Sequence, residues 1–297
     1  MKPAPAVVRA MSVLNYLTAH PRVSFTLLEL SNALGVNGAS LSALLLALTD
    51  AGYVSRHPKR KTYTLGAAGV ALGHAAARQY PAIEAAADEM RELARLGSEC
   101  VGTVSISGEI LFVAIEGNPG VKSREAWVGQ RIPMVPPFGQ VFVAWSPRAD
   151  IDRWLKMAGT GVQSATLRER LVASLERVRA DGYVIGLAND PGEEVIALVD
   201  ELTAVDREEL RRRLLEAIPR QGPDYVSEGI RSDGIYDVAN LAVPVFDAEG
   251  AVAFAMTLTG MQGLRGDRIA EIAQVALGAA RRVTRRIGGK WPPSLTG

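Results

Sequence analysis

The 297-residue sequence has little cysteine and little histidine: one Cys, Cys100, and three His, all within the first 74 residues. A single cysteine excludes a disulfide within the chain and fits a reducing cytoplasm, where we expect the protein to act. Because no histidine follows residue 80, neither a Ser–His nor a Cys–His nucleophile pair can form in that part. Cys100 begins an apolar strand, which favours core packing over reactivity.

Other chemical signatures are missing too. The chain has no Cys/His cluster with zinc spacing, no P-loop and no dinucleotide fingerprint, so we expect no cofactor and no metal. Its carboxylate-rich stretches, "DPGEE" at Asp190–Glu194 and "RSDGIYD" at Arg231–Asp237, suit turns and helix caps better than metal binding. No apolar run reaches the roughly 18 residues of a membrane span, and the N-terminus lacks a secretory pattern. We therefore expect no membrane partner.

Charge is distributed unevenly along the chain. Residues 1–80 hold 8 Lys/Arg and 2 Asp/Glu, a net charge of +6, whereas residues 81–297 hold 25 and 30, a net charge of −5. A basic module attracts polyanions such as nucleic acid, although the same excess could simply keep a small domain soluble. The asymmetry predicts an N-terminal domain at 1–79 and a second domain at 98–297, joined by a linker helix at 80–97.

The N-terminal part has the signals of three helices and a hairpin. Apolar residues at helical spacing predict a first helix over about residues 6–19. Thr26 and Glu29 form a capping-box sequence for a second helix, and Gly35 permits a sharp turn after it. Asn37 is a natural N-cap for a third helix with a buried leucine stripe. Two short strands, at about Tyr53–Ser55 and Thr62–Leu65, bracket a basic turn.

This order of elements is that of a winged helix-turn-helix, in which the third helix enters the major groove of DNA. The basic turn would be the wing and would hold phosphates. The candidate DNA contacts are Arg9, Asn37, Ser40, Ser42, Arg56, Lys59, Arg60 and Lys61.

Specific motifs add to this pattern. "SNALGVNGASLSALLLALTDAGYVSRHPKRKTYTLGAAGVALG", "VGQRIPMVPPFGQVFVAW", "LERVRADGYVI" and "LAVPVFDAEGAVAFAMTLTG" follow one another along the chain. In this order they resemble the IclR family of bacterial transcriptional regulators. The resemblance implies an α+β protein: a winged helix-turn-helix joined by a helical linker to a GAF-like domain that binds a small-molecule effector. It also implies a DNA-binding homodimer or tetramer rather than an enzyme.

The chain departs from the family pattern in two places. The third helix has Gly38, Ser40, Ser42 and Ala43 where the family often has Lys, Ser/Thr, His and Arg. Arginine-to-guanine readout is therefore unavailable from this helix, so specificity is shape-led through the wing or DNA binding is poor. The region 190–238 is also longer than usual and is predicted to hold two extra helices, at Glu193–Leu202 and Asp206–Ile218.

The rest of the chain is predicted to be a mixed sheet with helices. The linker helix, Pro81–Leu96, has an apolar stripe that could pair with its copy in a dimer or pack on its own domain. The predicted strands are Cys100–Ser107, Ile110–Ile115, Ala239–Phe246 and Ala251–Thr259. The predicted helices are Pro137–Trp145, Ile151–Met157, Thr166–Asp181 and Asp267–Ile287.

The resemblance also implies an effector site. Thr257 and Thr259 in "TLTG" match the family's "S-x-S-G", whose hydroxyls hydrogen-bond a carboxylate or similar group. The candidate effector contacts are Trp127, Phe138, Gly139, Asn240, Thr257 and Thr259. The bulk of Trp127 and Phe138 favours an effector that is larger and more apolar than a two-carbon acid. Thr257 and Thr259 could equally be ordinary strand residues. Two other functions stay open: a ligand-binding or assembly protein with a vestigial DNA domain, and an enzyme that uses only carboxylates, Ser and Thr.

Overall fold

The computed structural model describes residues 4–119, 128–158, 162–187, 212–213, 216 and 230–295. The N-terminal part is a winged helix built from three helices and a two-stranded sheet. Its elements are α1 (Pro5–Ala19), α2 (Leu27–Leu34), α3 (Gly38–Asp50), β1 (Val54–Arg56) and β2 (Tyr63–Leu65). Val13, Leu17, Leu30, Leu41 and Leu45 form its buried core.

Local sequence signals set the helix ends of this part as expected. Thr26 and Glu29 form both hydrogen bonds of the capping box at the start of α2. Gly35 ends that helix in the left-handed conformation, with φ of 61°, which a side chain would disfavour. Asn37 caps α3 by accepting the Ser40 N–H at 2.9 Å.

Two helices follow the wing. α4 (Ala67–Ala77) buries none of its side chains within the part of the chain that the structure describes. α5 (Pro81–Ala94) is the predicted linker helix, and its apolar stripe packs on its own domain, where Ala86, Met90 and Leu93 are buried. The sequence analysis did not predict α4, because its glycines and alanines give it no apolar stripe.

The C-terminal part is organised around an antiparallel sheet, with the strand order β5-β4-β3-β8-β7-β6 among the described residues. The strands are β3 (Glu99–Ile106), β4 (Glu109–Gly117), β5 (Arg131–Pro133), β6 (Val184–Leu187), β7 (Ile235–Phe246) and β8 (Val252–Arg265). β7 and β8 are the long central hairpin, and β3 pairs with β8 in the register Glu99↔Thr259. β5 and β6 were not predicted; each has only three or four residues.

Helices cover the two faces of this sheet differently. α5 and α9 (Gly266–Arg286) pack on one face against side chains such as Cys100, Leu241 and Phe254. On the other face lie α6 (Gln140–Val143), α7 (Arg148–Lys156) and α8 (Val162–Asp181), of which α6 contacts the sheet through Val141 and Phe142. A short 3-10 turn, Pro293–Leu295, closes the described chain.

Some boundaries differ from the prediction. The predicted helix Pro137–Trp145 is only four residues long, because Gly139, with φ of 84°, delays its start to Gln140. The extra helices predicted at 193–202 and 206–218 lie outside the described residues, apart from Arg212, Arg213 and Glu216. Among the described helices none alone is long and apolar enough to span a membrane; α2 and α3 match such a segment only as a pair bent by 113°.

Candidate functional site

The wing presents its cations on a tightly hydrogen-bonded turn. Arg56, Lys59, Arg60 and Lys61 are all exposed. The turn closes through the His57 N–H, which donates to the Thr62 carbonyl at 2.8 Å. The His57 Nδ1 accepts the N–H groups of Lys59 and Arg60 at 3.3 and 3.1 Å. The structure therefore places the four predicted phosphate-binding side chains together at one tip, and it adds a histidine whose supporting role the sequence did not reveal.

The third helix presents an uncharged surface. Asn37 and Ser42 are exposed, whereas Ser40 is half-buried and its N–H is taken by the Asn37 cap. The exposed face continues through Ala43 and Leu46, and Leu46 is 64% exposed. Arg9 is exposed on α1. On this helix, base contacts would come from hydroxyl, amide and apolar groups, with the cations confined to the wing.

The predicted effector residues of β7 and β8 lie side by side on one sheet face. Asn240 is directly opposite Thr259, and Ala242 is directly opposite Thr257. The register continues to β3, where Glu99 is opposite Thr259 and Val101 is opposite Thr257. Because side chains alternate along a strand, Glu99, Asn240, Thr257 and Thr259 share one face, which we call the polar face. α6 covers the neighbouring Ala242 and Ala255, while Asn240, Thr257 and Thr259 stay half-buried.

Glu99 is a polar-face residue that the sequence analysis missed. Glu99 is 1% exposed, and its Oε1 accepts a hydrogen bond from the Thr259 hydroxyl, whose oxygen lies 3.4 Å away. Buried carboxylates are rare unless they are paired. The sequence offers one signal for it: Glu99 is a charged residue at the start of the apolar stretch "ECVGTV". Because side chains alternate along a strand, Glu99 would lie on the sheet face opposite to that of Cys100.

Asn240 is oriented by its neighbour on β6. A Cβ at Gly186 would lie 2.5 Å from the Asn240 Nδ2 atom, so the amide occupies the space that a side chain at Gly186 would need. Gly186 is opposite Asn240 in the β6–β7 register. The glycine therefore allows the amide to lie across the polar face.

Two of the other predicted effector residues, Phe138 and Gly139, directly precede α6. Phe138 packs in the cluster of α7 and α8, and its carbonyl accepts the Trp154 Nε1–H at 3.1 Å. A Cβ at Gly139 would approach the Met134 Cγ within 2.4 Å, so this glycine packs closely under Met134. Trp127 lies outside the described residues. The aromatic side chain that α6 brings to the sheet is Phe142.

Cys100 has the environment of a packed core residue. It is fully buried on the face covered by α5 and α9, and burial raises the pKa of its thiol to about 12. A thiol with so high a pKa is a poor nucleophile at neutral pH. Within the described ranges, no group of three His, Cys, Asp or Glu side chains could hold a metal ion.

Comparisons with known proteins place this geometry among transcriptional regulators. Residues 6–58 match the IclR helix-turn-helix domain. The HTH-type transcriptional regulator KdgR of Escherichia coli is 25% identical over 199 residues, which are 64% of this chain and 72% of KdgR. The crystal structure of an IclR transcriptional regulator from Alicyclobacillus acidocaldarius covers 97% of this chain and 100% of its own, with a TM-score of 0.67 and 24% identity.

A third comparison concerns a ligand complex. An IclR homologue from Microbacterium hydrocarbonoxydans, crystallised with 4-hydroxybenzoate, covers 95% of this chain and 99% of its own, with a TM-score of 0.61 and 17% identity. The fold expected from the sequence, a helix-turn-helix domain followed by an α+β domain, is thereby confirmed. The N-terminal domain of this chain therefore matches the IclR helix-turn-helix domain, and its overall fold is that of solved IclR-type regulators.

Proposed function

We propose that this regulator binds double-stranded DNA through α3 and the wing, and that a small molecule on the polar face modulates this binding. The observation that carries the first half is the exposed tip of Arg56, Lys59, Arg60 and Lys61 beside the match to an IclR helix-turn-helix domain. Arginine and lysine at a hairpin tip neutralise phosphates, which supplies affinity without sequence preference. Sequence preference would then come from α3 and from DNA shape.

The second half rests on the polar face. Asn240, Thr257 and Thr259 share that face, and Val141 and Phe142 pack against the neighbouring Ala242 and Ala255. Ligand sites of proteins combine apolar walls with a few placed polar groups. The homologue that holds 4-hydroxybenzoate shows one ligand taken by this fold, and an aromatic acid of that size suits the expected effector, which is larger and more apolar than a two-carbon acid.

A dimer is the proposed working state, and it acts in the cytoplasm. Helix-turn-helix proteins commonly bind paired half-sites, for which two-fold symmetry is needed. α1 exposes Val7, Val8 and Met11, and α4 exposes Val70 and Leu72; exposed apolar surface of this kind can mark protein interfaces. The effector would shift the population between two arrangements of the paired winged helices, and it must bind one arrangement more tightly. The division into residues 1–79, 80–97 and 98–297 is part of this proposal.

DNA binding is tested by fluorescence anisotropy with duplexes from upstream of the protein's own coding region, titrated over a series of salt concentrations. Lys59→Ala with Arg60→Ala should weaken binding to all duplexes alike and should reduce the log–log salt slope by about 0.9 for each lost phosphate contact. The matched control is Lys156→Ala with Lys290→Ala, which removes two exposed positive charges from the C-terminal part. It should leave the slope unchanged.

The contribution of α3 is tested separately by Ser42→Glu, which places a negative charge on its exposed face. We expect this variant to lose DNA binding while its melting temperature stays within a few degrees of the parent protein. Normal binding by Ser42→Glu together with an unchanged salt slope in the wing variant would contradict the proposed DNA-binding surface. That result would favour the alternative of a ligand-binding protein with a vestigial DNA domain.

A further inference from the structure

The polar face carries an acidic residue, Glu99, at the position where the family resemblance implies carboxylate recognition. Glu99, Thr259 and Asn240 lie in one row across β3, β8 and β7. An effector carboxylate at Thr259 would therefore approach the Glu99 carboxylate directly. Two like charges that share a partly desolvated site repel strongly, so this placement is unfavourable.

The Thr259 hydroxyl already donates its hydrogen bond within the protein, so it cannot donate the same proton to a carboxylate of the effector. A hydroxyl has one proton to donate, and a carboxylate accepts hydrogen bonds. The Thr259 hydroxyl donates that proton to the Glu99 Oε1 at 3.4 Å. Glu99 is engaged further within the molecule, so the atom presented to a ligand is the Thr259 oxygen, now an acceptor. The Thr259 end of the polar face therefore matches a ligand group that donates a hydrogen bond.

Resting on the proposed function, we infer that the regulator selects effectors with a neutral hydrogen-bond donor, a hydroxyl or an amine, which binds at Thr259. Glu99 is the positioning residue: it fixes the direction of the Thr259 hydroxyl without touching the effector. Any anionic group of the effector points away from Glu99. The resemblance implies that both threonines bind a carboxylate. In this inference only Thr257 and its surroundings do so, and Thr259 accepts a hydrogen bond from the effector instead.

The test uses four benzoates of the same shape that differ at the para position: 4-hydroxybenzoate, 4-aminobenzoate, 4-fluorobenzoate and benzoate. The first two can donate a hydrogen bond there, and the last two cannot. Affinities for the full-length protein are measured by isothermal titration calorimetry. We expect the two donors to bind about tenfold more tightly than 4-fluorobenzoate, because a site built to accept a hydrogen bond discriminates against an analogue without the donor.

Glu99→Gln is the decisive variant, because the amide of the introduced glutamine can donate to the Thr259 oxygen and release the hydroxyl proton. The preference for 4-hydroxybenzoate over 4-fluorobenzoate should fall to about threefold or less. If Glu99→Gln fails to fold, Thr259→Val removes the acceptor and should abolish the same preference, while Thr259→Ser should restore it. Circular dichroism shows that each variant is folded.

The outcomes separate this inference from the proposed function. Asn240→Ala with Thr257→Val should weaken all four probes together and leave the preference for donors unchanged. Probes that bind with the same preference in the parent protein, in Glu99→Gln and in Thr259→Val would overturn the role of Glu99 and leave the proposed effector site intact. A protein that still binds DNA but binds none of the four benzoates at millimolar concentration would overturn the inference that aromatic compounds with a neutral hydrogen-bond donor are its effectors.

Discussion

Helices α4 and α5 are consecutive and similar in length, 11 and 14 residues, yet they differ in what covers them. α5 buries six residues against the sheet and α9, whereas α4 buries none within the described part of the chain. α5 is therefore a member of the core of the C-terminal part. α4 is an apolar helix with no buried side chain among the described residues, and this is why we propose that it contacts a second copy.

The difference also bears on how an effector would act. α5 is fixed to the sheet by its core and by an ion pair, since Glu89 receives two hydrogen bonds from Arg282 of α9 at 2.9 and 2.7 Å. α4 is tied to the winged helix at its start, where the Gly66 and Ala68 N–H groups donate to the carbonyls of Tyr53 and Gly52. The short connection between the two helices, residues 78–80, joins these two parts of the chain.

The largest effect should come from removing a core residue of α5. Met90 is fully buried, so Met90→Ala should lower the free energy of unfolding by about 2–5 kcal/mol, through the loss of buried apolar contacts and the cavity left behind. The matched change on α4, Val70→Ala, should stay within about 0.5 kcal/mol in the monomer. Urea unfolding followed by far-UV circular dichroism reports on the helices of both parts, and tryptophan fluorescence adds the C-terminal part alone, because all four tryptophans follow residue 126. Equal costs for both changes would contradict the contrast between the helices.

A smaller effect should follow from removing the charge of Glu89. The hydrogen bonds from Arg282 lower the pKa of the Glu89 carboxyl below its ordinary value. Because the folded-state pKa is lowered, the pair stabilises the protein above the unfolded pKa of about 4.3, and this contribution is lost as pH falls through the folded pKa. Glu89→Gln should cost about 1–3 kcal/mol at neutral pH, and the difference from the parent protein should shrink in acid.

The control for this pH dependence is Glu92→Gln on the same helix. Glu92 pairs with Arg95 at 3.0 Å, but both side chains are well exposed, so the pair contributes little. Urea midpoints measured between neutral pH and acid should be nearly parallel for Glu92→Gln and the parent protein. A Glu89→Gln difference that does not change with pH would show that the carboxylate charge is not what holds α5 to α9.

Signals close together in the sequence were sufficient for the winged helix. The Thr26–Glu29 capping box, the Gly35 turn and the Asn37 cap each act within four residues, and the structure has all three. Pairings across the chain were not accessible in this way. Glu99 and Thr259 meet although they are 160 residues apart, and the strand register that joins them depends on the packing of the whole sheet. α4 was missed for a different reason, because its many glycines and alanines give it no apolar stripe.

The exposed side of α4 should matter for association rather than for the fold of one chain. Val70 is 75% exposed, so Val70→Glu should leave the unfolding of the monomer nearly unchanged. Burying an unpaired carboxylate in a dimer interface is costly, so the dimer dissociation constant should rise at least about tenfold, or about 1.4 kcal/mol. Analytical ultracentrifugation over a range of concentrations measures it. An unchanged constant would exclude this side of α4 from the interface.

The smallest effect should come from Gly73, in the interior of α4. A Cβ built there meets no atom of the described residues within 4 Å outside the backbone of its own helix, so alanine fits without strain. Alanine in place of glycine should stabilise an exposed helix by about 0.5–1 kcal/mol, because the unfolded chain has less conformational entropy to lose. Amide hydrogen exchange across α4 in Gly73→Ala should therefore slow by about two- to fivefold. Gly69→Ala is the matched control, since its Cβ site is equally open. Faster exchange at Gly73→Ala alone would mean that another chain packs closely against that glycine and that the interface extends beyond Val70.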